Sequence, residues 1–277
     1  MKRLIVIGDY CNDTLVCQEL RTAVTGFLKD ATRLQISFVH SYPSTIHTAF
    51  LLNQIVQTED RYGIPRELVI FVNTDPRIES EVGVAKAEGA KGVILKLANG
   101  ITVIGPNAGY CFSLIKSKIE TLYTYDGLEK GSQFRSRDLY PPIIAYLMDN
   151  LEQDMELVDG DRGLVPDYRG THVAHVDNYG NIKTTIKHSD FKGKYEYGDE
   201  VSVEIRGVQQ KAIYVDNLFG GGVGNLVIYP GSSGEPDDSL LEISAWSHFA
   251  DTKTGMEPKT GKHFFPHVTA GDLLEIK

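Results

Sequence analysis

Residues 68–77 read LVIFVNTDPR. Five apolar residues, Leu68 to Val72, run into Asn73, Thr74 and Asp75 and stop at Pro76. A continuous apolar run of this length, closed by turn chemistry, fits a strand covered on both faces within a parallel sheet. Ligands of such sheets bind outside the carboxyl ends of the strands, where the loops collect. Asp75 therefore stands where chemistry is done, unless it only caps the turn beside Pro76.

The flanking sequence repeats the pattern. Leu4–Ile7 reads as a strand ending in Gly8-Asp9-Tyr10-Cys11-Asn12-Asp13, and Leu15, Leu20, Val24 and Leu28 give helical spacing after a cap at Asp13 or Thr14. Leu34–Phe38 is a second strand, and Ser44 caps a helix carrying Ala49, Leu51, Leu52, Ile55 and Val56. A helix is expected around Glu79–Glu88 and a strand over Gly92–Leu97. Asn99-Gly100 then signals a hairpin into Ile101–Ile104. A short helix over Tyr110–Ile115, a strand over Lys118–Tyr125 and a helix over Leu139–Met148 complete residues 1–160. These alternations predict an α/β domain with a mainly parallel sheet.

Near residue 159 the composition turns polar and rich in Gly, Asp and Pro. Residues 168–277 then offer seven short strands: Thr171–Asp177, Ile182–Ile186, Glu200–Ile205, Gln210–Val215, Asn225–Tyr229, Leu240–Ala245 and Asp272–Ile276. With almost no helical periodicity, they predict a smaller all-β barrel domain.

Composition narrows the function classes. The chain has 277 residues, 42% of them hydrophobic and 23% charged, as in soluble globular proteins. A formal net charge of -9 without any basic run argues against a nucleic-acid partner. Three cysteines, Cys11, Cys17 and Cys111, make no disulfide framework and no zinc spacing, which is consistent with a cytoplasmic location. The apolar run after Lys2-Arg3 is too short for a signal peptide, and no stretch approaches the ~18 apolar residues of a membrane span.

The strand ends gather the polar candidates: Asp9, Asn12 and Asp13; Asn73, Thr74 and Asp75; Asn107 after Gly105-Pro106; and Ser132–Asp138, with Phe134, Arg135 and Ser136, before a helix. Asp9, Asp13 and Asp75 are oxygen donors suited to Ca²⁺ or Mg²⁺. Arg77, Arg135 and Arg137 would repel such an ion, so no metal is expected. In the second domain, Asp177 and Asn181 flank Tyr179-Gly180 and could bond the polar edge of a nucleoside while Tyr179 stacks on its base; ordinary hairpin chemistry explains the same residues. Trp246 is the only tryptophan, suited to stacking on a ligand or to packing. His40 reads as structural, and His172 and His175, three apart on one strand, should face opposite sides of it.

Six motifs in order resemble a known family. Gly8–Asp13 (GDYCND), His40–Ser44 (HSYPS), Val72–Pro76 (VNTDP), Gly105–Gly109 (GPNAG), Phe134–Pro142 (FRSRDLYPP) and Val176–Thr185 (VDNYGNIKTT) are similar to TDFG, THxIPP, VDPGVG, GPDNG, FHGRDxFAP and IDxFGNxxTN of the S-adenosyl-L-methionine (SAM) hydroxide adenosyltransferases and the related fluorinase and chlorinase. The resemblance covers nearly the whole chain. It implies an α/β domain and a β-barrel, and a homotrimer in which the barrel completes the nucleoside site of a neighbouring subunit. It implies SAM or adenosine as ligand, with no further cofactor. It also implies that Asp9 holds the ribose hydroxyls with Asp13 as a second acid, that Asp177 binds the methionine ammonium, and that Asn181 contacts adenine. Ser247 would lie near the backbone that reads the adenine edge, and Asp75 would be the carboxylate of an Asp-Arg-His set. The chain departs from the pattern at Val82, where the family has that Arg, at Arg135, where it has the His, and at Arg77, where it has Gly. Ser136 replaces another glycine, near a halide-binding serine of the fluorinase.

The expected reaction is displacement at C5′ of SAM, with hydrolysis to adenosine and L-methionine as the first reading. Asp75 would orient the nucleophile and Arg135 stabilise it. The alternatives are a SAM- or nucleoside-binding protein without turnover, which the departures at Val82 and Arg135 suggest, and a halogenase that uses Ser136.

Overall fold

The computed structural model describes residues 1–74, 76, 90–128, 134–247 and 259–277. The chain divides into two compact units, Met1–Tyr168 and Arg169–Lys277.

The first unit is an α/β domain. Its elements are β1 (Lys2–Gly8), α1 (Thr14–Phe27), β2 (Leu34–His40), α2 (Thr45–Tyr62), β3 (Leu68–Asn73), β4 (Gly92–Leu97), β5 (Thr102–Pro106), β6 (Ile119–Thr124), α3 (Arg135–Asp138), α4 (Tyr140–Met148) and β7 (Val158–Gly160). The helix expected around Glu79–Glu88 lies outside the described residues. The seven strands form one sheet in the order β2-β1-β3-β5-β4-β6-β7. β3 lies inside the sheet between β1 and β5, and its residues alternate between two cores. Leu68, Ile70 and Val72 join Leu52 and Val56 of α2 and Phe112 and Ile115 on one face, whereas Val69 and Phe71 join Leu20 and Val24 of α1 and Ile144 of α4 on the other. That two-sided cover is why the strand reads as an unbroken apolar run.

The sheet is mixed, not mainly parallel. β2/β1, β1/β3 and β3/β5 are parallel, but β5/β4, β4/β6 and β6/β7 are antiparallel. The cause is the Asn99-Gly100 turn, in which the Gly100 N–H donates to Leu97 O at 2.8 Å and Asn99 Oδ1 accepts from Ile101 N at 3.1 Å. A tight hairpin joins only antiparallel strands, so β4 must run against β5. The helix expected over Tyr110–Ile115 is replaced by successive three-residue turns, Cys111 N to Ala108 O, Ser113 N to Tyr110 O and Ile115 N to Phe112 O, leading into a 3-10 helix at Ser113–Lys118.

The second unit contains β8 (Val173–Val176), β9 (Ile182–Lys187), β10 (Glu200–Ile205), β11 (Val208–Tyr214), β12 (Leu226–Glu235), β13 (Asp238–Ala245), α5 (Gly261–Phe264) and β14 (Leu274–Ile276). The strands run in the order β14-β10-β11-β12-β13-β9-β8, and a bridge between His172 and Leu273 brings the two edges together as a nearly closed barrel. All seven expected strands are present. The core holds Val173, Ile182, Val203, Ile228, Leu241, Ile243, Phe265 and Leu274. A bulge between Val173 and His175 puts both Val173 and Val176 against this core, so the alternation expected to separate His172 from His175 does not hold. Burial lowers the pKa of both histidines.

No helix among the described residues is long and apolar enough to cross a membrane.

Arg3 at the start of β1 donates to both carboxylate oxygens of Glu59 on α2, at 2.7 and 2.5 Å. This fork holds the Glu59 carboxyl below its ordinary pKa. Because the folded-state pKa is depressed, the stabilisation is complete above the unfolded carboxylate range and is lost as pH falls through the folded value. Glu59→Gln should cost about 1–2 kcal/mol near neutral pH. In urea melts the gap from wild type should close as pH falls below about 4.

Candidate functional site

Register determines where the polar candidates of the first unit meet. Gly8 at the end of β1 pairs with His40 at the end of β2 and with Asn73 at the end of β3. Phe71 pairs with Ile104, so β5 ends two residues later level with Asn73, at Pro106. β4 runs the other way, and its first residue, Gly92, pairs with Pro106. One edge of the sheet therefore carries Asp9, Ser41, Thr74 and Asn107, with Lys91 O accepting from Asn107 N at 2.8 Å. This is the carboxyl edge at which α/β sheets bind ligands.

The first loop is shaped by Gly8. A Cβ there would stand 3.0 Å from the Tyr10 ring and 3.1 Å from Asn73 O. The missing side chain lets Tyr10 fold back against Asn73, and burial pushes its hydroxyl pKa up. Burial likewise pushes the Cys11 thiol up to about 12, which makes it an unreactive thiol at neutral pH. Asp9 stands half-buried at the head of this loop. Asp13 is the N-cap of α1, its Oδ1 accepting from Leu15 N at 2.9 Å and Val16 N at 3.3 Å.

A buried string of hydroxyls lies beneath the edge. Ser41 Oγ bonds Thr48 Oγ1 at 2.7 Å, and Thr48 Oγ1 donates to Thr74 Oγ1 at 2.9 Å; all three residues are fully buried. His47 Nδ1 accepts from Tyr42 N at 3.0 Å, and Cys111 Sγ donates to Thr74 O at 3.4 Å. These contacts tie the ends of β2 and β3 to α2. Thr74 is among the strand-end candidates of the sequence, whereas His47 and Thr48 are not; the signal for them is the density of Ser, Thr and His from His40 to Thr48.

Asn107 donates through Nδ2 to Leu164 O at 2.7 Å, while its Oδ1 is buried without a partner among the described residues. A buried acceptor of this kind calls for a donor from ligand or water. Asp75, Arg77 and Val82 lie outside the described residues. Arg135 does not project as a free cation: its guanidinium donates to Ala90 O at 3.2 Å and Leu128 O at 2.8 Å and lies 6.0 Å from the Tyr140 ring centre. It ties the start of α3 to the approaches of β4. Ser136 beside it is buried, and Phe134 carries Arg137 over its ring at 5.0 Å. Arg137 is also paired with Asp138 and Glu19.

In the second unit, Asp177–Asn181 closes the β8–β9 hairpin. Asp177 Oδ1 accepts from Tyr179 N and Asn181 N, both at 2.9 Å, and Oδ2 accepts from Asn181 Nδ2 at 2.9 Å. Gly180 has φ +84°, and a Cβ there would meet Thr260 Oγ1 at 2.4 Å, so only glycine fits the turn. Tyr179 at the tip is 79% exposed. Trp246 meets Phe219 edge-on at 5.6 Å. Ser247 Oγ accepts from Lys259 N at 2.9 Å and donates to Lys259 O at 3.1 Å, which fastens the chain after β13.

Residues 171–259 match the family model "SAM hydroxide adenosyltransferase C-terminal domain". The chain is 26% identical over 181 residues to an (R)-S-adenosyl-L-methionine hydrolase of Methanocaldococcus jannaschii. That match takes in 64% of this chain and spans 62% of the length of that protein. Both likenesses are to proteins that act on SAM by their descriptions. Two solved structures have the same fold. An uncharacterized conserved protein from Thermotoga maritima has a TM-score of 0.67 at 18% identity, covering 99% of this chain and 100% of that one. A conserved hypothetical protein from Thermus thermophilus has a TM-score of 0.62 at 17% identity, covering 94% of this chain and 98% of that one.

Of the three carboxylates Asp9, Asp13 and Asp75, Asp13 is committed to its cap and Asp75 lies outside the described residues. Arg135→Lys should lower stability by about 1–2 kcal/mol in urea melts, because an ammonium is a point donor and does not span two carbonyls as the planar fork does.

Proposed function

We propose that this chain displaces L-methionine from C5′ of SAM, with water or hydroxide as nucleophile, yielding adenosine. The single observation that carries the reading is the alignment of the ends of β1, β3 and β5, which brings Asp9 and the open acceptor Asn107 to the sheet edge where α/β domains bind their ligands. The family match and the hydrolase relative supply the substrate class.

The chemistry asks little of the protein. The leaving group is a neutral thioether, so it needs no general acid and no metal, and no cofactor takes part. The nucleophile must be freed of bulk water and held in line behind the carbon. Asp75 orients it, Asp9 takes the ribose hydroxyls, and Asp177 and Asn181 serve the methionine and adenine ends, with Tyr179 and Trp246 as stacking surfaces. Arg135, with two donors committed to carbonyls, acts by holding α3, which carries Ser136. The working assembly is a cytoplasmic homotrimer in which the barrel of one subunit completes the site of its neighbour.

One observation favours a second reading, a protein that binds SAM or adenosine without turnover. Arg135 stands at the family's histidine position, and a guanidinium, always protonated and without an acceptor, cannot serve as a base there; two of its donors go to Ala90 O and Leu128 O.

The test is incubation with SAM, with and without chloride or fluoride, followed by chromatography. Adenosine formed regardless of halide is the expected product, and Asp75→Ala should abolish it while retaining binding. A 5′-halo product would instead assign the nucleophile to halide and bring Ser136 forward. Intact SAM at high protein concentration, with calorimetric binding, would establish the second reading. Asp9→Ala should weaken binding by roughly 1–3 kcal/mol, the cost of a lost buried hydrogen-bond partner.

A further inference from the structure

Ser244 lies on β13, one strand away from the hairpin that carries Asp177 and Asn181. On β13, Leu241 and Ile243 point into the barrel core, so Glu242 and Ser244 alternate onto the outer face; on β9, core Ile182 leaves Asn181 and Lys183 on that same face. An outer face is ordinarily wet. Here Ser244 is fully buried and Glu242 is 4% exposed.

The polar groups of this face are matched within the protein. Glu242 accepts from Lys183 Nζ at 2.6 Å, Ser232 N at 2.9 Å, Ser232 Oγ at 3.1 Å and Tyr229 OH at 3.2 Å. The next row is a directed chain. Ser244 Oγ donates to Asn181 Oδ1, and Asn181 Nδ2 donates to Asp177 Oδ2. A carboxylate only accepts, so the amide nitrogen of Asn181 must face Asp177 and its oxygen must face Ser244. The carboxylate thus sets which way the amide points, and the hydroxyl, which could donate or accept, anchors the amide oxygen at the other end. Without the hydroxyl, Asn181 Oδ1 would lose its donor and the amide would be held at its nitrogen end alone.

We infer that Ser244 is a positioning residue for the ligand contacts of Asn181 and Asp177, acting through the Asn181 amide and not by touching substrate. The inference rests on the proposed SAM site and adds to it a residue that neither the motifs nor the resemblance single out. Among the described residues one amide N–H of Asn181 stays open to a ligand acceptor, and the anchor at Ser244 limits the swing of that donor.

The test is calorimetric binding of SAM and of adenosine to the full chain in four forms: wild type, Ser244→Ala, Asn181→Ala and the double variant. Ser244→Ala should weaken binding about tenfold, the scale of one misdirected hydrogen bond. In the Asn181→Ala background the same change should have no further effect. Ser244→Cys, nearly isosteric and a weak donor, should reproduce the loss if the alanine variant folds poorly, and urea melts of each variant separate stability from affinity. Unchanged binding in the Ser244 variants, or an equal loss in both backgrounds, would overturn the positioning role alone. A wild type that binds neither ligand would overturn the SAM site itself.

Discussion

Burial of β3 on both faces is the constraint on which the first unit depends. A strand whose residues alternate between two cores cannot slip by one position without exchanging every side chain between them. Its register against β1 and β5 is therefore firm, and with it the alignment of Gly8, Asn73 and Pro106. The candidate site is a by-product of that packing. Asp9 and Asn107 are far apart in sequence, and hydrophobic register brings them to one edge. The hydroxyl string through Ser41, Thr48 and Thr74 adds a polar tie at the point where apolar packing ends, and its full burial keeps water from competing for it.

Much of this was legible because the signals were local. The apolar run at Leu68–Val72, the Asp13 and Ser44 caps, the Asn99-Gly100 hairpin and the seven short strands after residue 170 each follow from nearest-neighbour chemistry, and all appear. Sheet direction was harder. Reading every α/β alternation as parallel conflicts with the hairpin read from the same sequence, and the hairpin prevails because a three-residue loop, Ala98-Asn99-Gly100, has no room for a crossover. The bulge at β8 was invisible for a related reason: one extra residue changes which side chains face the core without changing composition.

Side-chain roles were less legible than positions. Arg135 was read as a charge available to a nucleophile, since a sequence cannot say which carbonyls lie within its reach; in the fold Ala90 O and Leu128 O claim two of its donors. Asp13 was open to two readings, and capping is the one its carboxylate performs. Asp177 and Asn181 were likewise open between hairpin and ligand chemistry. Their bonds within the turn satisfy the hairpin reading in full.

The two readings of that turn need not compete. A carboxylate has about four lone-pair sites, and three donors from one rigid turn leave capacity for another while fixing where it points. A loop built only to reverse the chain would not require a fully buried serine to anchor its asparagine, nor an exposed tyrosine at its tip. The cost of ordering Asp177 and Asn181 is met on folding, so under the proposed function a ligand arriving there would meet groups already aimed. For a displacement whose leaving group departs neutral, accurate placement of substrate is most of what the protein must provide. Strong local hydrogen bonding at Asp177 and Asn181 is thus what a preorganised site requires.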